Sequence, residues 1–225
     1  MHLPFGVPPA FIRHEVPPYD NGDSLEANFK VFFEWASDLR RPEEVLIAVS
    51  ERAGFKQRRH PLGFVAVELS PAKDTEDLLD HRTGLARANI YPKGLIIEPD
   101  IHCHGFDFFA GVVHGQLENT DHQLDFSRET AGEDTYRSFV SVVNEFGENE
   151  VSLLQERSTI TVTSSTTHTL GQGDTYSMRA QVDFHSVAGD GLVTILCKTP
   201  ADHLKQSSES IFLRKHSSAA PVRSY

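Results

Sequence analysis

The sequence predicts an all-β domain, a barrel or sandwich, preceded by two helices. Beyond about residue 62, short β-type runs such as GFVAVEL, GLIIEP and STITVTSSTTHTL are separated by turn residues. Many short strands with glycine and aspartate between them favour a barrel or sandwich over a parallel α/β sheet. A chain of 225 residues, 39% of them hydrophobic, is long enough to bury a proper core. We therefore expect one domain.

The chain begins with an arm and a helix. Residues 1–22 carry five prolines, which hold the backbone extended and disfavour helix. From Asp23 the pattern changes: Asp23 and Glu26 resemble a capping box, and the apolar residues that follow recur at helical spacing. These features predict a helix at 24–39.

A second helix is predicted at 42–53, because Pro42 suits a first turn and Gly54 can end the helix. The chain then divides into four parts. They are an extended arm at 1–22, a helical segment at 23–61 packed on the barrel, the barrel itself at 62–213, and a flexible tail at 214–225.

Charge and composition exclude several partners. With 32 acidic and 21 basic side chains the formal charge is −11, which repels nucleic acid and anionic membranes. Two cysteines are too few for a disulfide framework and suit a reducing compartment. The sequence has no apolar run long enough to span a membrane and no signal-peptide pattern at its start. These observations predict a cytoplasmic protein.

Histidines at two places in the chain indicate a metal site. On a β-strand alternate side chains share a face, so His102 and His104 would point the same way, with Cys103 on the other face. A third ligand is needed, and His185 lies in another apolar strand, FHSV. Together they predict a site for one divalent ion.

These segments resemble the two motifs of the cupin superfamily. His102-x-His104 with Gly115 eleven residues later is similar to the first motif, and Gly173-Asp174-x-Tyr176 followed by Phe184-His185 is similar to the second. The resemblance covers roughly residues 84–200 and implies a jelly-roll β-barrel.

The carboxylate ligand usual in cupins is missing from this sequence. Many metallocupins carry glutamate four residues after the second histidine, where this chain has Phe108. Asp107 is one position away, which on a strand turns it to the opposite face. We therefore expect three neutral imidazoles as the metal ligands, without a glutamate, and Asp107 or His114 remains the alternative for a further ligand.

A three-histidine site resembles the thiol dioxygenase branch of the cupins, of which cysteine dioxygenase is an example. That resemblance also includes the two helices, the segment around Arg87, and the Lys-Thr-Pro sequence at 198–200. It implies a mononuclear Fe(II) dioxygenase acting with O2 on a small thiol or carboxylate-bearing molecule, with Arg87 holding a carboxylate. The branch carries Ser-x-His-x-Tyr where this chain reads Thr194-Ile-Leu-Cys-Lys198, which leaves the substrate open.

Further side chains are candidates for the substrate pocket. Arg87 and Tyr176 would orient the substrate, and His168 could donate or accept a proton. The pocket residues expected nearby are Phe106, Asp107, Phe108 and His114. Each of these residues could instead have a purely structural role. Aromatic residues in barrel strands are commonly buried in the core, and a histidine beside a glycine often lies in a turn.

Two other functions fit the same sequence. The site could instead hold Zn, Ni, Mn or Cu, and a redox-inert ion acting as a Lewis acid would make the protein an isomerase or lyase. Alternatively the barrel could bind a small molecule without catalysis. In each case we expect a small-molecule ligand, no nucleic acid and no membrane. The proline-rich arm also suggests a homodimer.

Overall fold

A computed structural model describes residues 17–20, 22–39, 57–59, 64–70, 85–94, 100–126, 135–146, 149–199 and 211–215. Within these residues the chain forms one helix and twelve strands. In chain order they are α1 (Leu25–Asp38), β1 (Gln57–Arg59), β2 (Val65–Ser70), β3 (Ala86–Tyr91), β4 (Ile101–His102), β5 (Phe108–His114), β6 (Leu117–Asp125), β7 (Thr135–Phe146), β8 (Asn149–Leu170), β9 (Thr175–Met178), β10 (Phe184–Ala188), β11 (Leu192–Lys198) and β12 (Ile211–Lys215).

The strands form two antiparallel sheets. The first has six strands in the order β1-β2-β3-β11-β5-β9, and the second closes on itself in the order β10-β4-β12-β7-β8-β6. Some neighbouring strands in each sheet are far apart in sequence: β11 lies between β3 and β5 in the first sheet, and β10 pairs with β4 in the second. The predicted all-β, barrel-like fold is confirmed at this level.

Helix α1 covers one face of the first sheet. It occupies nearly the predicted range, but its N-cap is Ser24 rather than Asp23: the Ser24 hydroxyl accepts a hydrogen bond from the Ala27 N–H at 3.1 Å. The buried residues Phe29 and Phe32 lie on the side of the helix that packs against the sheet. The apolar spacing that predicted the helix is therefore the spacing that buries it.

Strand β3 shows how the first sheet separates its two faces. Ala86 and Ala88 pack in the cluster under α1, whereas Arg87, Asn89 and Tyr91 line a cavity on the other side. This alternation follows from the period of two along a strand. The small apolar residues of β3 therefore meet the helix, and the polar residues that alternate with them face the cavity.

Several predicted segments lie outside the described residues. These are the second helix at 42–53, all but the last residues of the arm at 1–22, and the tail at 214–225 beyond β12. Strand β1 lies within the segment at 23–61 that was predicted to be helical, and it pairs with β2. Across the ranges that the structure does describe, no helix is long and apolar enough to cross a membrane.

Candidate metal centre

Three histidines, two on neighbouring strands and one just after the first of them, meet at one point of the second sheet. His102 is the last residue of β4 and lies directly opposite His185 of β10 in the strand pairing. His104 follows the end of β4 instead of continuing the strand as predicted, and its carbonyl accepts a hydrogen bond from the Gln181 N–H at 2.8 Å. The two histidines of the His-x-His motif therefore converge through a bend after the strand.

The ring nitrogens of these histidines could hold one metal ion. One nitrogen of each ring lies within 4.8 Å of the others, and the Nε2 atoms of His104 and His185 are 3.2 Å apart. Such a group of imidazoles is a common set of metal ligands in proteins. The predicted cluster of His102, His104 and His185 is thus present in the structure, as a group that could hold a metal ion.

A backbone carbonyl orients the His102 ring. Its Nδ1 lies 2.9 Å from the carbonyl oxygen of Asp100. Because a carbonyl oxygen only accepts hydrogen bonds, Nδ1 carries the proton and donates it, and the lone pair is on Nε2. This is the second-sphere arrangement typical of metal-ligating histidines.

Burial keeps His185 neutral. The side chain is 2% exposed, and desolvation lowers its pKa well below the usual value, with the neighbouring His102 and His122 adding to the effect. Metal binding requires the neutral imidazole, so this environment removes most of the competition from protons near neutral pH.

A small cavity of about 30 Å³ opens beside the histidines. Its polar wall comes mainly from β3, and its apolar wall comes from both sheets. The polar side chains other than the histidines are Arg87, Asn89, Tyr91 and Tyr176, and the apolar ones are Phe64, Phe108, Val187 and Leu196. The volume suits one or two water-sized groups, which favours a small ligand.

The polar wall offers hydrogen-bond donors. Burial raises the pKa of Tyr91 to about 12 and raises that of Tyr176 further, so both phenols stay protonated near neutral pH. The Asn89 amide donates to the Thr194 hydroxyl at 3.3 Å, while its Oδ1 is buried without a hydrogen-bond partner among the described residues. A buried polar atom of this kind at a cavity wall is a place for a ligand group or water.

Two pocket candidates from the sequence lie beside this cavity rather than on its wall. Phe106 stacks near the His104 ring at 5.2 Å between centroids, and the Lys198 ammonium lies 5.1 Å from the Phe106 ring centroid. Asp107 accepts a hydrogen bond from the Ala180 N–H at 2.6 Å. The Asp107 carboxylate therefore fixes a turn before β10.

Two predicted histidines lie outside the cavity altogether. His114 is exposed at the end of β5, next to the turn at Gly115. His168 lies in β8 with its side chain 53% exposed, and its Nε2 is 3.4 Å from a carboxylate oxygen of Asp121. Among the predicted pocket and catalytic residues, Arg87, Phe108 and Tyr176 are those that reach the cavity with the histidine cluster.

Sequence reasoning missed three polar residues near the site. Asn89 and Tyr91 alternate with Arg87 along β3, so extending the same-face rule from Arg87 would have found them. Asn119 was also missed, and its Oδ1 lies 2.7 Å from His185 Nδ1. It comes from β6, and nothing in its local sequence distinguishes it.

Comparison with models of protein families and with curated proteins finds no match to this chain. Its function is therefore inferred from the site itself.

Proposed function

We propose that this protein is a metal-dependent enzyme on a cupin jelly-roll barrel, with one divalent ion held by His102, His104 and His185. The observation that carries the proposal is the position of the three histidines: they share one small cavity with a buried wall of hydrogen-bond donors. Metal ligands on one side and polar donors on the other are the parts that a site needs to orient a substrate.

The donor set suits a borderline or soft divalent ion. Three imidazoles fit iron, copper, nickel and zinc, and they leave the ion with its full charge and open positions. Asp107 is bound to the Ala180 N–H and does not join them. We propose Fe(II) as the resident ion, which when bound would supply the redox chemistry of a dioxygenase.

The residues of the cavity would bind and orient an anionic substrate. Arg87 is 6% exposed and lines the cavity, where its permanent positive charge would attract an anionic group. Tyr91 and Tyr176 add two phenolic donors. This wall suits the carboxylate group of a small thiol, and the thiolate of that substrate with one O2 would give a sulfinate that contains both oxygen atoms.

The apolar residues of the cavity would exclude bulk water. Phe108 contacts the His104 ring edge-on at 4.8 Å between centroids, and Leu196 packs in the same apolar cluster as Phe108, on the neighbouring strand β11. Exclusion of water strengthens the attraction between Arg87 and an anion, because the local dielectric constant is low.

The proposal is tested by metal analysis and oxygen uptake. Protein purified without added metal should contain one iron ion per chain, and His102→Ala should lose it. His114→Ala is the matched control, since His114 is an exposed histidine of the same region and should leave the metal content unchanged. Oxygen consumption with a panel of small thiols should then depend on iron. Bound iron without oxygen uptake for any thiol would contradict the thiol dioxygenase assignment.

A second function is favoured by the same donor set. Three imidazoles hold zinc as well as iron, and the strand at Thr194 lacks the histidine and tyrosine that thiol dioxygenases resembling this chain carry there. A zinc-dependent isomerase or lyase would be active under anaerobic conditions with zinc alone. Turnover in those conditions would select it over the dioxygenase.

A further inference from the structure

A line of hydrogen bonds joins the buried His185 to the protein surface. His185 Nδ1 lies 2.7 Å from Asn119 Oδ1, and Asn119 Nδ2 lies 3.0 Å from Asp121 Oδ1. The other Asp121 oxygen is 3.4 Å from His168 Nε2. His185 and Asn119 are 2% and 4% exposed, whereas the Asp121 side chain is 57% exposed. The line therefore runs from the histidine cluster to the exposed Asp121 in two hydrogen bonds, and His168 lies beyond it.

The carboxylate of Asp121 determines the orientation of the Asn119 amide and, through it, the proton position on His185. An ionised carboxylate only accepts hydrogen bonds, so the Asn119 atom that faces Asp121 is the amide nitrogen. The atom that faces His185 is then the amide oxygen, which also only accepts. His185 Nδ1 must therefore carry the ring proton and donate it.

This tautomer leaves the lone pair on Nε2 of His185, the nitrogen that faces the other two histidines. With the proton on Nδ1, Nε2 of His185 is the bare nitrogen, and it is the atom that lies 3.2 Å from Nε2 of His104. The opposite tautomer would put a proton between the two rings. An exposed aspartate thus sets the proton position on a buried ring through the asparagine that lies between them.

We propose that Asn119 is a positioning residue that fixes His185 in its metal-binding tautomer, and that Asp121 fixes the orientation of the Asn119 amide. This proposal rests on the metal site proposed above and adds two residues to it. His168 is the outermost group, with its Nε2 atom 3.4 Å from the second oxygen of Asp121. His168, which was predicted to be catalytic, therefore contacts Asp121 and lies outside the cavity.

The first test is the affinity for Zn²⁺, measured by competition with a chromophoric chelator. Asn119→Leu keeps the size of the side chain and removes the acceptor, so the zinc affinity should fall about 10- to 100-fold, as for other partners of metal-bound histidines. Asn28→Leu is the control for loss of a buried, hydrogen-bonded asparagine: Asn28 is 2% exposed and bonds to Asp20, away from the histidines. It should retain the wild-type zinc affinity.

The second test replaces the exposed acceptor, Asp121, by a hydrogen-bond donor. Asp121→Lys puts a donor where the acceptor was, so the Asn119 amide should turn, offer its nitrogen to His185, and weaken zinc binding. Asp121→Glu keeps an acceptor and should rescue the affinity. Glu118→Lys makes the same charge change on the opposite face of β6 and should have no effect. Because Asp121 is exposed, this test remains decisive even if Asn119→Leu does not fold.

A measurement without metal separates this proposal from the proposed function. Nitrogen-15 spectra of the histidine rings report the tautomer, and wild-type His185 should be protonated at Nδ1, with a shift toward Nε2 in Asp121→Lys. Wild-type zinc affinity in both Asn119→Leu and Asp121→Lys, or an Nε2-protonated ring in the wild type, would overturn this proposal alone. Failure of the wild type to bind zinc or iron would overturn both.

Discussion

His185 and His122 lie on opposite faces of the β6-β10 pair and differ in what surrounds them. His122 faces two hydroxyls, with Nδ1 at 2.8 Å from Ser165 Oγ and Nε2 at 3.0 Å from Ser186 Oγ. His185 has one nitrogen at Asn119 and the other at His104. Burial lowers the pKa of both rings.

This comparison shows that burial and hydrogen bonding alone do not make a histidine a ligand. Both ring nitrogens of His122 are used within the sheet, because a serine hydroxyl can donate to one and accept from the other. His185 keeps one nitrogen for a point that two other imidazoles also face. The convergence of lone pairs from separate segments is therefore the feature that distinguishes the metal face.

The largest expected difference between the two faces is in metal affinity. His185→Ala removes one of three ligands and should weaken zinc binding by about 100-fold or more, at or beyond the upper end of what loss of a supporting partner costs. His122→Ala should bind zinc as the wild type does. Isothermal titration calorimetry of the three proteins measures this, and equal losses in both variants would remove the distinction between the faces.

A smaller effect is expected on stability, and here His122 is the residue that matters. His122→Ala leaves the hydroxyl of Ser186, which is 7% exposed, without its partner. We expect the metal-free protein to lose about 1–3 kcal/mol, the cost of an unsatisfied buried group.

Urea denaturation of metal-free protein gives this free energy. Ser165→Ala, which removes the exposed partner of the same ring, should change stability by less than about 0.5 kcal/mol. A loss in Ser165→Ala as large as that in His122→Ala would show that the outer hydroxyl, and not the buried one, carries the energy.

The smallest effect is a pH dependence that arises at His122. Desolvation lowers its pKa in the folded state, and Asp121 only partly offsets this. The unfolded ring therefore binds protons first, so its contribution to stability is complete above pH of about 6.5 and is lost as the pH falls below that value.

The slope for one group is below about 1.4 kcal/mol per pH unit. Urea denaturation of the wild type and of His122→Gln at several pH values between neutral and acid measures the contribution of His122 to the pH dependence of the free energy of unfolding. An unchanged slope in the variant would show that other groups cause the pH dependence.

Much of the fold could be predicted from local pattern. The helix near 24–39 follows from apolar spacing, and the β content follows from short runs between turn residues. The strand neighbours could not be predicted this way: β11 lies between β3 and β5, about a hundred residues along the chain from β3. Such pairing depends on the energy of the whole sheet, which no single window contains.

The metal cluster was found from sequence because chemistry limits the choices, and its support was not. His102 and His104 are two residues apart, and a metal needs a third ligand from another strand, which made His185 a reasonable candidate. Asn119 is an ordinary asparagine in β6, and its role depends on the pairing of β6 with β10. His168 was predicted as a proton donor or acceptor at the substrate, but its side chain is 53% exposed and lies outside the cavity. Strand alternation shows which residues share a face, and it does not show which face is exposed.

The sequence alone therefore determined the side chains that can bind a metal and the local elements that carry them, since ligand chemistry and apolar periodicity are properties of short segments. The tertiary structure decided which polar residues surround those histidines. It also decided which way their protons point, because Asp121, Asn119 and His185 meet only when β6 and β10 pair. The physical reason is that a hydrogen bond needs a donor on one side chain and an acceptor on the other at the right distance. Only the fold brings these side chains together.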